Sequence, residues 1–272
     1  MKNQSCKDFQ WLVIDDGSSD NTKTVVESFI KDSDFCVEYH YKQNGGKHTA
    51  LNYAHSFIKG DYVLILDSDD VLVPEAVEKI LNAWKLYGIN KDVGEINFLR
   101  GISIDEPLCY VEHPGTIVDP VKEKRIMIAG RDCCETYRKD LFLKYPFVVF
   151  PEERFLGEGS AFFKIEKSCK CVYFNEIIYI GGYLEDGLTR QGRKMRLNNP
   201  KGGRYNSLIY MDRSLPLKKR IRKALLLIVY SNIIGTSYYK DNPYKLLTTA
   251  AVIPGNLLYI YWKHKYKISP HS

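Results

Sequence analysis

Zinc-site and redox spacings are missing from this chain of 272 residues. It has no Cys-x-x-Cys, and its neighbouring pairs, Cys133-Cys134 and Cys169-Lys170-Cys171, have no matching His partners. Seven cysteines, an odd number, exclude a fully paired disulfide framework and leave ordinary buried thiols in a reducing cytoplasm as the expectation. Long hydrophobic runs are also lacking. The apolar segment Ala224 to Ile234 is too short to span a bilayer. The opening residues Met1-Lys2-Asn3-Gln4-Ser5-Cys6-Lys7 carry no apolar core of the kind a secretory signal needs. Neither sign of charge dominates: 39 Lys and Arg face 33 Asp and Glu, a net +6, and no nucleic-acid partner is expected. Apolar and charged shares of 44% and 26% exclude a disordered chain. The length allows one large α/β domain, or one domain with a smaller appendage.

What is present is a set of short strands that stop abruptly in polar clusters. Phe9 to Asp15 is aromatic and β-branched, then halts at Asp15-Asp16-Gly17-Ser18-Ser19-Asp20-Asn21-Thr22, a turn rich in helix-capping residues. Val25, Val26, Phe29 and Ile30 follow at helical spacing. A second strand, Cys36 to Tyr41, ends in Gln43-Asn44-Gly45-Gly46-Lys47, with Leu51, Ala54, His55 and Ile58 marking the helix behind it. A third apolar run, Tyr62 to Leu66, reads as a buried strand and ends in Asp67-Ser68-Asp69-Asp70; after Pro74 comes a helix with Val77, Ile80, Leu81 and Trp84. This β-α-β-α-β-α order with short connections predicts a parallel sheet covered by helices, with ligands at the carboxyl ends of its strands.

Two of those ends carry acids and a third carries Gly-Gly-Lys. Three carboxylates within four positions repel one another unless something positive lies between them. A divalent cation carrying a phosphate ester accounts for them, and so does a helix N-terminus whose dipole favours acids. A cation-bridged diphosphate between the acids and Lys47 would make sense of all three ends together.

From Glu95 to about Tyr183 the texture changes to shorter strands, such as Ile96 to Ile102 and Cys169 to Phe174, with a helix from about Gly159 to Lys167. Phe155-Leu156-Gly157-Glu158-Gly159 puts a carboxylate between two glycines at that helix start, where it serves either the helix dipole or chemistry. Past residue 200 the chain turns basic and apolar. Leu217-Lys218-Lys219-Arg220-Ile221-Arg222-Lys223 leads into Ala224 to Ile234; a second stretch, Leu246 to Trp262, is interrupted by Pro254-Gly255 and ends in Lys263-His264-Lys265. Such a pair fits helices lying in a membrane interface, with anionic lipid contributing roughly 1 kcal/mol per nearby basic residue. Packing on the preceding domain with a solvated basic face is the alternative. The expected division is an α/β domain over residues 1–200 and a helical tail over 201–272.

Val13-Ile14-Asp15-Asp16-Gly17-Ser18-Ser19-Asp20-Asn21-Thr22, then Gln43-Asn44-Gly45-Gly46-Lys47-His48-Thr49-Ala50-Leu51-Asn52, then Leu66-Asp67-Ser68-Asp69-Asp70 resemble the family 2 inverting glycosyltransferases with the GT-A fold. The resemblance extends more weakly through Gly157-Glu158-Gly159 and Tyr183-Leu184-Glu185-Asp186-Gly187-Leu188-Thr189. It implies a GT-A, Rossmann-like α/β fold with a mixed, mainly parallel sheet flanked by helices. It also implies a UDP- or dTDP-linked sugar donor and a glycan or lipid-linked acceptor, as in bacterial surface-polysaccharide assembly. Asp15, Asp16, Gly45, Gly46, Lys47 and Asp67 would bind the nucleotide sugar, with Asp16 on the base. Asp69 and Asp70 would hold Mg²⁺ or Mn²⁺ against the diphosphate, and Glu158 would take the acceptor's proton. The acceptor region would involve Gly130 to Tyr137 and the Tyr183-to-Arg190 loop. The tail would keep the protein cytoplasmic, on the inner face of the cell membrane.

At the front, Asn3-Gln4-Ser5-Cys6-Lys7-Asp8-Phe9 resembles the family's connection into its second strand. The expectation is therefore a chain lacking its first strand and most of its first helix, roughly 30 residues at ordinary element lengths. A truncated, inactive sugar-nucleotide-binding or membrane-bound remnant is the alternative to an enzyme. Asp67-Ser68-Asp69-Asp70-Val71 also matches the nucleophile motif of haloacid-dehalogenase phosphatases. That motif usually lies at the first strand, whereas here two βα units precede it, and no Gly-Asp-x-x-x-Asp follows.

Overall fold

β-Branched and aromatic residues build β1 (Gln10–Asp15), and the polar turn after it starts α1 (Thr22–Asp32). β2 (Cys36–Tyr41) pairs with β1 in parallel, Gln10 opposite Cys36 through Asp15 opposite Tyr41. α2 (Lys47–Ala54), β3 (Tyr62–Leu64), β4 (Val71–Leu72) and α3 (Ala76–Tyr87) follow. The computed structural model describes residues 1–123, 125–127, 133–181 and 188–268. The next elements are β5 (Val93–Ser103), β6 (Glu106–Pro107), β7 (Cys109–Val111), β8 (Ile117–Val118), β9 (Arg125–Met127), β10 (Cys133–Arg138), α4 (Lys139–Lys144), α5 (Gly159–Glu166) and β11 (Lys170–Ile180). Four helices close the chain: α6 (Leu188–Asn198), α7 (Pro200–Ile209), α8 (Leu217–Ile233) and α9 (Lys245–Tyr266).

Two compact units emerge. The first comprises Met1–Gln43, Ala50–Pro146 and Lys164–Leu184; the second comprises Asn44–Thr49, Phe147–Phe163 and Glu185–Ser272. α7 is fastened to the segment before α5. The Asn199 side-chain oxygen accepts the Arg154 and Phe155 N–H groups at 3.0 and 3.1 Å. The Glu153 carboxylate accepts the N–H groups of Lys201 and Gly202 at 2.6 and 2.7 Å, satisfying the free donors at the start of α7.

In the first unit the main sheet runs β3-β10-β5-β11-β4, with β6 on β5 and β8 on β11. Its core lies under α3, where Ala76, Val77, Ile80, Ala83 and Trp84 recur at helical spacing and bury one face. Trp84 stacks on Tyr62 at 4.2 Å and donates its indole N–H to Thr136 Oγ1 at 2.9 Å, which in turn donates to the Ile96 carbonyl at 2.7 Å. Gln4 ties the N-terminal segment to this helix, donating to the Val73 carbonyl and accepting from the Val77 N–H.

The sheet is mixed, but the expectation of mainly parallel pairing is corrected. Only β11 on β5 and β1 on β2 are parallel among the described strands; β10 meets both β3 and β5 antiparallel, and β4 meets β11 antiparallel. β1 and β2 form a sheet of their own, so β1 and β3 each bond a strand on one side only among the described residues. The run expected as a buried strand is accordingly shorter and more open. β3 stops at Leu64, and Tyr62 to Leu66 are all only half-buried.

In the second unit, α8 and α9 pack through Leu227, Ile228, Val229 and Ile233. The helix α9 continues through Pro254. The proline lies on the exposed side, where the carbonyl it leaves unpaired can be met by water. No helix among the described residues is long and apolar enough to cross a membrane.

Candidate nucleotide-sugar site

The carboxyl ends of β1 and β3 present the acids of the first unit. Asp15 is buried and turned inward: its carboxylate accepts the Ser18 N–H at 2.7 Å and the Tyr39 hydroxyl at 2.5 Å. Burial by itself would raise its pKa, but these hydrogen bonds and the Gly17 N–H hold the group below the usual carboxylate range. The Tyr39 hydroxyl is correspondingly pushed up to about 12 by burial and by Asp15. Asp15 therefore ties the turn together, and its neighbour Asp16 is the carboxylate that turns outward, 2.6 Å from Lys42 Nζ.

Past β3, Asp67 to Asp70 form a turn closed by the Asp70 N–H on the Asp67 carbonyl at 3.2 Å. The three acids diverge in environment. Asp69 is exposed and Asp67 half-buried, whereas the Asp70 side chain is only 5% exposed. Asp70 Oδ2 accepts from Arg100 at 2.8 Å and from the Tyr179 hydroxyl at 2.7 Å. No motif pointed to Arg100, Tyr179, Lys42 or Tyr39. The available signal was the one charged residue, Arg100, in the run Ile96 to Ile102; the partners come from strand register, which a single sequence does not display.

The second unit holds the glycines, the lysine and the expected base. Gly46 has φ +91°, and a Cβ there would sit 1.9 Å from the Arg154 carbonyl oxygen, so only glycine fits. Lys47 opens α2 and its Nζ lies 2.8 Å from Glu158 Oε1. Glu158 directly precedes α5, whose first carbonyl, Gly159, accepts the Tyr210 hydroxyl at 2.9 Å. Lys223 steadies that tyrosine, with its Nζ 4.6 Å from the ring centre and 2.9 Å from Asn206 Oδ1. Burial, reinforced by Arg196, Lys219 and Arg222, lowers the Lys223 pKa to about 8. Sequence reading assigned α7 and α8 no part in supporting Glu158. Of the expected acceptor region, residues 130–132 and 183–187 lie outside the described residues.

Among the described residues, no group of three or more His, Cys, Asp and Glu is arranged to hold a metal ion. That does not suit a cage built wholly from protein. It suits a hard cation shared with a diphosphate, which takes one or two carboxylates and fills its other positions with phosphate and water oxygens. Asp67 and Asp69 lie on one tight turn and would be the carboxylates to hold it.

Residues 1–94 match the model of the family described as Glycosyl transferase family 2. An uncharacterised glycosyltransferase of Mycoplasma pneumoniae is 28% identical over 197 residues, which are 72% of this chain and 57% of that protein. A Campylobacter jejuni GalNAc(5)-diNAcBac-PP-undecaprenol beta-1,3-glucosyltransferase is 38% identical over 86 residues, 30% of this chain and 26% of its own length. The Bacillus subtilis minor teichoic acid biosynthesis protein GgaB is 26% identical over 57% of this chain and 17% of its own. The chain thus spans little more than half of the first of these relatives and much less of the others. In architecture it is similar to S. aureus TarS crystallised with UDP, at TM-score 0.53 and 16% identity over 85% of this chain and 64% of that one. That likeness shows a GT-A-like α/β fold. Residues 1–94 thus match the model of glycosyltransferase family 2, and the chain is similar in fold to a GT-A protein.

Proposed function

We propose that the protein is a glycosyltransferase that moves a sugar from a UDP- or dTDP-linked donor to a hydroxyl of a glycan or lipid-linked acceptor, with inversion, in bacterial surface-polysaccharide assembly. The observation that carries this reading is the Asp67–Asp70 turn at the end of β3, within the residues that match the family. Asp16 binds the nucleotide base, and Asp67 and Asp69 face the diphosphate. A divalent cation, Mg²⁺ or Mn²⁺, neutralises the leaving nucleoside diphosphate when bound. Glu158, held by Lys47, removes the acceptor hydroxyl's proton. The oxygen then attacks the anomeric carbon from the face opposite the diphosphate, the C–O bond to the phosphate breaks, and the configuration inverts.

The exposed stripe of α9 supports a peripheral site on the inner face of the cell membrane. Leu246, Ile253, Leu257 and Ile260 share one face, Leu246 being 90% exposed, and Lys263, His264 and Lys265 follow in the last turn. Glu158→Gln tests the mechanism. Donor binding stays at the parental level while transfer falls ~10²–10⁴-fold, the usual loss for a general base. Full transfer by the variant would remove Glu158 from the reaction.

A further inference from the structure

Asp70 belongs by position with its acidic neighbours and by environment with the core. Its Oδ2 receives two donors, Arg100 at 2.8 Å and the Tyr179 hydroxyl at 2.7 Å. Its Oδ1 faces Gly181, where an added Cβ would stand only 2.0 Å away. Both carboxylate oxygens are thus turned into the protein. Strand register makes this arrangement. Asp70 directly precedes β4, and β4 pairs with β11 through Val71 opposite Ile180 and Leu72 opposite Tyr179. β11 pairs with β5 so that Tyr179 stands opposite Arg100, after a register shift between Ile177 and Tyr179 that re-aims the tyrosine. The Arg100 guanidinium lies over the Tyr179 ring at 4.3 Å. Tyr179 also reaches the front of the turn, since its hydroxyl oxygen accepts the Asp67 N–H at 3.1 Å while its proton goes to Asp70. One hydroxyl therefore joins both ends of the four-residue turn.

We propose that Asp70, Arg100 and Tyr179, with the space left by Gly181, form a clasp that fixes the turn presenting Asp67 and Asp69, and that Asp70 is a positioning residue and not a metal ligand. The inference deepens the proposed function and rests on it for the role of Asp67 and Asp69. The clasp itself stands on the hydrogen bonds alone. A partner that orients a ligand commonly changes metal affinity 10–100-fold when removed. Removing the Tyr179 hydroxyl frees the turn, whereas Asp70→Asn keeps an oxygen where both donors point.

The first test needs no ligand. Amide hydrogen exchange of the peptide covering Asp67 to Val71 is compared in the parent, Tyr179→Phe and Asp70→Asn, with thermal midpoints as a check on folding. Faster exchange confined to that peptide in Tyr179→Phe, and parental exchange in Asp70→Asn, is the expected result. Parental exchange in Tyr179→Phe overturns the clasp. The second test is calorimetry of Mn²⁺ with UDP present. Tyr179→Phe binds Mn²⁺ about tenfold or more weakly, and Asp70→Asn binds as the parent does. Loss of binding in Asp70→Asn equal to that in Asp69→Asn would make Asp70 a ligand and overturn the assignment. A parent that binds neither UDP nor Mn²⁺ would fail the proposed function, and with it the presented role of Asp67 and Asp69. The exchange result would still decide the clasp.

Discussion

Asp15 and Asp16 are adjacent in sequence and opposite in use. Asp15 points inward to Tyr39 and Ser18, and Asp16 outward to Lys42. One acid thus serves the turn and the other pairs with a lysine. Glu38 shows the same dependence on neighbours and gives a pH test. Lys59 Nζ at 2.7 Å, opposed by burial and aided by Gln10, holds the Glu38 pKa at about 2. A folded-state pKa below the unfolded one stabilises the protein above the unfolded value near 4.3, and that contribution disappears as the pH falls toward the folded value. Glu38→Gln should therefore cost about 1 kcal/mol at pH 7, a figure discounted for the exposure of Lys59. Urea unfolding should show the gap to the parent closing as the pH is taken from 4.5 down to about 2. A gap unchanged over that range would mean that Glu38 does not carry it. The candidate site residues come from the motifs that name them in the sequence. Their division of labour does not, because it depends on Tyr39, Lys42, Arg100 and Tyr179, which lie 24 to 112 positions away.

At the scale of elements, α1, α3, β1 and β2 were readable from apolar spacing and punctuation, and their bounds fall close to expectation. β3 was misread in length and burial because an apolar run reveals that it wants covering, not what covers it. α9 runs through Pro254, which lies on the exposed side of the helix. That side also makes a prediction. Ile253 and Leu257, 75% and 64% exposed, contribute little to folding and much to lipid contact if the helix lies in an interface. Replacing both with Asp should leave the thermal midpoint near the parent's and abolish co-sedimentation with vesicles of phosphatidylglycerol and phosphatidylcholine. Equal sedimentation of parent and variant would dissociate α9 from the membrane. The Tyr210 hydroxyl on the first carbonyl of α5 is a third element-level link. Tyr210→Phe should lower transfer while leaving donor affinity at the parental level, because the backbone next to Glu158 loses a hydrogen bond that positions it. A parental rate would limit Tyr210 to packing.

For the whole molecule, the sequence conveyed the class of fold and the order of its first half, since short βα units leave few topologies open. The second half was less legible. β10 and β11 are inserted beside β5 from far along the chain, and non-local pairing leaves no local signature. The division into units was hidden for the same reason, as α7 is fastened by Glu153 and Asn199 to a segment more than forty residues earlier. The central claim is that this chain binds a nucleoside diphosphate through a cation held at the Asp67–Asp70 turn. Calorimetry of the purified protein with UDP, with and without Mn²⁺, tests it most directly. The account predicts saturable binding that requires Mn²⁺ and is abolished in Asp69→Asn. Binding of equal strength without Mn²⁺, or in that variant, would contradict it.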